Sequence, residues 1–143
     1  MKIRHIGIVC LEINTSLKFW RDYFNFKIIK KVKEKGQTIN KILAFKNAEI
    51  KTIKLKNKTG LILELILFQK PKTKKRILFT NNNGITHFAL TVKNLDNFYK
   101  KHYKKINFNC PPQFSEDGKV KVLYARTPEG CFIELVEEIK KNN

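Results

Sequence analysis

At 143 residues the chain is one ordinary domain or two very small ones, and with 42% hydrophobic and 11% aromatic residues it has the composition of a folded protein. No apolar stretch approaches bilayer length, and the N-terminal "MKIRHIGIVCLEIN" has a short apolar piece without a small-residue cleavage site, so a soluble, cytoplasmic protein with no membrane partner is expected. The formal net charge of +18 favours anionic partners, but the cations are nearly all Lys, with Arg only at 4, 21, 76 and 126. They are spread through most segments, so nucleic acid is not expected as the main ligand.

Residues 3 to 9 are rich in Ile and Val and short enough for a strand. An amphipathic helix follows, capped by Asn14 or Thr15, with Leu17, Trp20 and Phe24 on one side. The segment "QTINKILAFK" at 37 to 46 is ambiguous and reads as strand. "LILELILF" at 61 to 68 is a further strand with one carboxylate, Glu64, among apolar neighbours; an ionised carboxylate in such company needs a pairing cation. After "KPKTKKRILFTNNNG" a second strand-helix pair begins at 85 to 92, with Asn94 as cap and Leu95, Phe98, Tyr99 and His102 at helical spacing. His102, flanked by lysines, reads as an ordinary surface histidine. Cys10, Cys110 and Cys131 are odd in number and scattered, which indicates small buried hydrophobes rather than a disulfide framework or zinc knuckle.

The chain is written twice. "IRHIGIVCLEINTSLKFWRDYFNFK" lies over "ITHFALTVKNLDNFYKKHYKKINFN" at one offset of 82 (87 − 5 = 82), placing His5 over His87. "IKTIKLKNKTGLILELILF" lies over "VKVLYARTPEGCFIELVEE" at an offset of 70 (134 − 64 = 70), placing Glu64 over Glu134. The difference, 82 − 70 = 12, means that the first half carries about twelve additional residues within 28 to 49. In both halves the last two strands are joined by a turn, "NKTG" and "TPEG". The expected fold class is α+β, two βαβββ modules forming a cupped mixed sheet, with the first module at 1–70, a linker at 71–83 and the second module at 84–143.

Strand alternation sets His5 on one face with Gly7 and Val9, and His87 with Ala89 and Thr91. Glu64 and Glu134 sit at equivalent positions of their strands, with Leu63, Leu65, Ile133 and Leu135 pointing to the opposite, helix-bearing face. Any one of these four polar residues has an ordinary structural explanation, but all four recur in register. Two imidazoles and two carboxylates meeting on one surface form a donor set for a divalent first-row metal (Ni, Co, Zn, Mn or Fe), and such an ion would compensate Glu64.

These residues resemble the vicinal oxygen chelate superfamily, which includes glyoxalase I, methylmalonyl-CoA epimerase, extradiol dioxygenases and the fosfomycin and bleomycin resistance proteins. "HIGIVCLEINTSLKFWRDYFNFKII", "GITHFALTVKNLD" and, most specifically, "RTPEGCFIELVE" carry the resemblance. The His5, Glu64, His87, Glu134 order is similar to bacterial-type glyoxalase I. The resemblance implies a metal-dependent lyase or isomerase moving a proton between adjacent oxygen-bearing carbons of a small, glutathione-linked substrate through an enediolate. It implies Glu134 as the shuttle with Glu64 as its partner. Epimerase-like, dioxygenase-like and metal-free binding members are the alternatives, and a homodimer is compatible with all. Only Arg21, Arg126 or nearby lysines could hold the carboxylates of a thiol cofactor.

Overall fold

A computed structural model describes residues 1–140. The chain divides into two compact units, Met1–Arg76 and Ile77–Asn143. Unit 1 runs β1 (Ile6–Val9), α1 (Ile13–Asp22), β2 (Lys27–Lys35), α2 (Gln37–Leu43), β3 (Glu49–Lys56) and β4 (Ile62–Lys70). Its sheet has the order β1-β4-β3-β2, with β1 parallel to β4 and the other pairs antiparallel. Unit 2 runs β5 (His87–Thr91), α3 (Leu95–His102), β6 (Asn107–Phe108), β7 (Gln113–Phe114), β8 (Val120–Arg126) and β9 (Phe132–Glu138). Its sheet follows the same plan, β5-β9-β8-β6, with β7 also on β8 and β5 parallel to β9. The expected α+β class and the doubled strand-helix-strands pattern are both present.

The repeat survives in the register. Gly7 lies opposite Glu64 in unit 1 and Ala89 opposite Glu134 in unit 2, the same relation under the two offsets. Both hairpin turns close as expected, with the Gly60 N–H donating to Asn57 O and the Gly130 N–H to Thr127 O. Each glycine has φ near +93°, a left-handed conformation in which a side chain would be strained.

One face of each sheet is the core. In unit 1, Leu55, Leu63 and Leu65 are fully buried, as is Trp20 of α1. In unit 2, Ile133, Leu135 and Leu123 are buried with Leu95 of α3. Burying these aliphatic and aromatic faces against the helices is the main drive for each unit.

Three local expectations need correction. Segment 37–46 is not a strand: Gln37–Leu43 is helical, with Ile39 and Leu43 four residues apart on the face that packs against Ala48, Ile50, Ile66 and Phe68. This seven-residue helix makes up most of the excess of about twelve residues in the first half. Asn40 ties down its return, its amide donating to Lys46 O at 2.7 Å and its oxygen accepting from Ala48 N at 2.6 Å. The cap of α1 is neither Asn14 nor Thr15 but Glu12, whose carboxylate accepts from the backbone N–H groups of both. These two bonds and the Thr15 hydroxyl hold the Glu12 carboxyl below its ordinary range. The face α1 buries is Ser16, Phe19 and Trp20. His102 is not on the surface: it is buried, with its ring 4.7 Å from that of Phe98. Asn94 caps α3 as expected, accepting from Asn97 N at 2.9 Å.

Candidate metal centre

The outer face of each sheet carries a histidine paired with a glutamate. In unit 1, His5 stands one residue before β1, two before Gly7, and Gly7 faces Glu64 across the parallel pair. This diagonal brings His5 Nε2 to 3.0 Å from Glu64 Oε2. In unit 2, His87 stands two residues before Ala89, which faces Glu134, and His87 Nε2 lies 3.6 Å from Glu134 Oε2. All four side chains are partly exposed, between 17% and 36%. The structure therefore brings the four expected residues together as two pairs. Among the described residues no three His, Cys, Asp or Glu side chains form a group that could hold a metal.

The pairs are not identical, because the next strand differs. Lys54 lies opposite Glu64 on β3, and its Nζ reaches Glu64 Oε1 at 3.3 Å. Tyr124 takes the equivalent position opposite Glu134 on β8, with its hydroxyl 3.2 Å from His87 Nε2. The two rings meet edge to face at 4.9 Å. Burial, then the nearby Glu134 charge, pushes the Tyr124 phenol above its ordinary range, so it is a protonated donor at neutral pH. On the other side of the ring, His87 Nδ1 is 3.2 Å from Thr86 Oγ1. With Nδ1–H donated to that hydroxyl, Nε2 carries the lone pair, the tautomer in which a histidine ligates metal.

Lys54, Tyr124 and Thr86 are the residues missed from sequence. The first two were open to inference. A hairpin closed by Asn57 N to Leu61 O sets 54 against 64, and one closed by Thr127 N to Cys131 O sets 124 against 134.

The donor chemistry fits a divalent first-row ion. Neighbouring donors around an ion with bonds of about 2.1 Å lie roughly 3.0 to 3.4 Å apart, close to the two N to O separations here. Lys54 uses the far oxygen of Glu64, Oε1, and leaves Oε2 to face His5.

Residues 2–135 match the model of the Glyoxalase/Bleomycin resistance protein/Dioxygenase superfamily. No curated protein is significantly similar in sequence. Among solved structures, a glyoxalase family protein from Bacillus cereus superimposes with a TM-score of 0.84 at 17% identity, over 98% of this chain and 95% of that one. Glyoxalase I of Leishmania major, described as trypanothione-dependent, gives 0.67 at 16% identity over 96% and 87%. Glyoxalase I from Zea mays gives 0.71 at 17% identity, over 98% of this chain and 46% of the longer one. At these identities the likeness is one of fold.

Proposed function

The chain belongs to the Glyoxalase/Bleomycin resistance protein/Dioxygenase superfamily, and on that premise we propose that it is a metal-dependent lyase or isomerase of the glyoxalase I kind. One observation carries the reading: a His–Glu pair recurs at the same diagonal register in both sheets, His5 with Glu64 and His87 with Glu134. The four side chains, contributed by one chain or by two, would hold one divalent ion. Bound there, the ion supplies Lewis-acid stabilisation of negative charge on substrate oxygens at adjacent carbons.

The two glutamates take different parts. Lys54 pairs with Glu64 Oε1, so only Oε2, the oxygen that faces His5, is placed to hold the ion. Glu134 has no lysine or arginine partner among the described residues, which leaves that carboxylate to move the proton from one carbon to its neighbour. Thr86 and Tyr124 hold the His87 ring between them, one hydroxyl at each ring nitrogen.

Protein purified without chelator is expected to hold about one divalent ion per chain, and His5→Ala or His87→Ala to lose it. Glu134→Gln should lower isomerisation of a methylglyoxal–glutathione hemithioacetal at least about a hundredfold. Epimerase and catechol-cleavage assays on the same preparations test the related chemistries. Protein that neither binds nor responds to any first-row ion would overturn the reading. Lys54 gives the second reading its support: the ammonium already compensates Glu64, as a metal-free binding member would require.

A further inference from the structure

The face of the unit 1 sheet that carries Glu64 also carries an excess of positive charge that the proposed chemistry does not use. Lys30 of β2 lies directly opposite Lys54 of β3, and Lys54 opposite Glu64 of β4, so three successive strands present Lys, Lys and Glu in a row. Lys56 stands two residues further along the same face of β3. Like charges directly opposed across a ladder are destabilising, so a pairing of lysines here works against the fold. Lys30, Lys54 and Lys56, with Lys2, Arg4 and His5 from the approach to β1, line a cavity of about 700 Å³. Lys54 is taken up by Glu64. Lys2, Arg4, Lys30 and Lys56 make no ion pair among the described residues.

We propose that this cavity seats a multiply charged anionic group of the ligand, with phosphate esters as its chemical class. Four uncompensated cations around one small space call for several negative charges in few atoms, which a phosphate supplies and a single carboxylate does not. Lysine ammonium groups, as point charges, suit phosphate oxygens without fixing one orientation. The volume is that of a small-molecule site rather than a track for a polymer. The inference rests on the proposed function in one respect: His5 lines the same cavity, so the anionic end would lie beside the reacting end.

Fructose 1,6-bisphosphate serves as a probe, with fructose as the neutral control, titrated into the full chain at fixed ionic strength. The double variant K30E/K56E is compared with K74E/K75E, which makes the same change in net charge on exposed residues outside the cavity. Binding should weaken at least about tenfold in K30E/K56E and less than about twofold in K74E/K75E. Equal weakening in both would show diffuse attraction to a basic protein and overturn the proposal. So would loss confined to a single-stranded oligonucleotide, with the bisphosphate unaffected. Neither double variant touches His5 or Glu64, so metal content measured on the same samples stays at the wild-type level. Absence of metal from every form would defeat the metal reading alone, and bisphosphate affinity would still decide the anion seat.

Discussion

Lys54 and Tyr124 are 70 positions apart, the offset that superimposes the two closing hairpins, yet one is a cation beside Glu64 and the other a phenol beside His87. The repeat therefore keeps the pair and varies what surrounds it, so two equivalent carboxylates stand in unequal surroundings. The third histidine shows the opposite case, a titratable group with no chemistry to do. Burial pushes the His102 imidazole below the usual histidine range near 6.5, and the charges of Lys101 and Lys105 push the same way. The folded chain thus resists a proton that the unfolded chain accepts. The stability this group contributes is complete above about pH 6.5 and is lost as pH falls through the lower folded value. The drop in Tm between about pH 7.5 and pH 5 should be smaller in His102→Phe than in the wild type, by about 2 °C or more. Parallel pH profiles would show that His102 does not titrate differently on folding.

At the level of elements, what was legible was what is local and written twice. The turns "NKTG" and "TPEG" carry their own closing geometry, and Asn94 is a short side chain in the favoured capping position. Around Glu64 and Glu134 the strands alternate, with Leu63, Leu65, Ile133 and Leu135 buried on the opposite face. The His–Glu pairs were legible for the same reason, since a two-residue period fixes which side chains share a side. What was hidden depended on reach or on tertiary contact. Glu12 caps α1 with a longer side chain than capping rules favour. In α2 the apolar spacing is short, and Ile42 is 69% exposed while Ile39 is buried, so only packing on Ile50, Ile66 and Phe68 decides for helix. In unit 2 the corresponding strand is cut into β6 and β7, with Pro111 and Pro112 between them removing backbone donors. If α2 is held by that small cluster, Ile39→Ala should cost about 2 to 4 kcal/mol. Hydrogen exchange should then quicken across residues 37 to 48, while Leu63 and Leu65 on the other face of the sheet keep their protection. Uniform quickening through the whole unit would mean that α2 is part of the main core.

Across the whole molecule the net charge of +18 is a load on the folded state as well as an attraction for anions. The load is concentrated where β2 meets β3: Lys27 faces Lys56, Lys30 faces Lys54 and Lys33 faces Lys51. Only Lys35, opposite Glu49, meets the other sign in that series. β2 is also an end strand of its sheet, and a row of lysines there discourages pairing with another chain's edge. Both effects follow from unscreened repulsion. Salt shortens the reach of exposed charges to about 8 Å at physiological strength and about 3 Å at 1 M, so screening should relieve repulsion along this hairpin more than it weakens the few ion pairs. Raising NaCl from about 20 to about 300 mM is therefore expected to raise Tm by several degrees, roughly 3 to 8 °C. Sucrose at matched osmolality separates screening from general preferential exclusion. In K30E/K56E, where two of the three opposed lysine pairs become attractive, the salt-induced rise should shrink. An equal rise in that variant would place the repulsion elsewhere on the surface, and a Tm indifferent to salt in the wild type would mean that the opposed lysines turn away from one another at no cost to the fold.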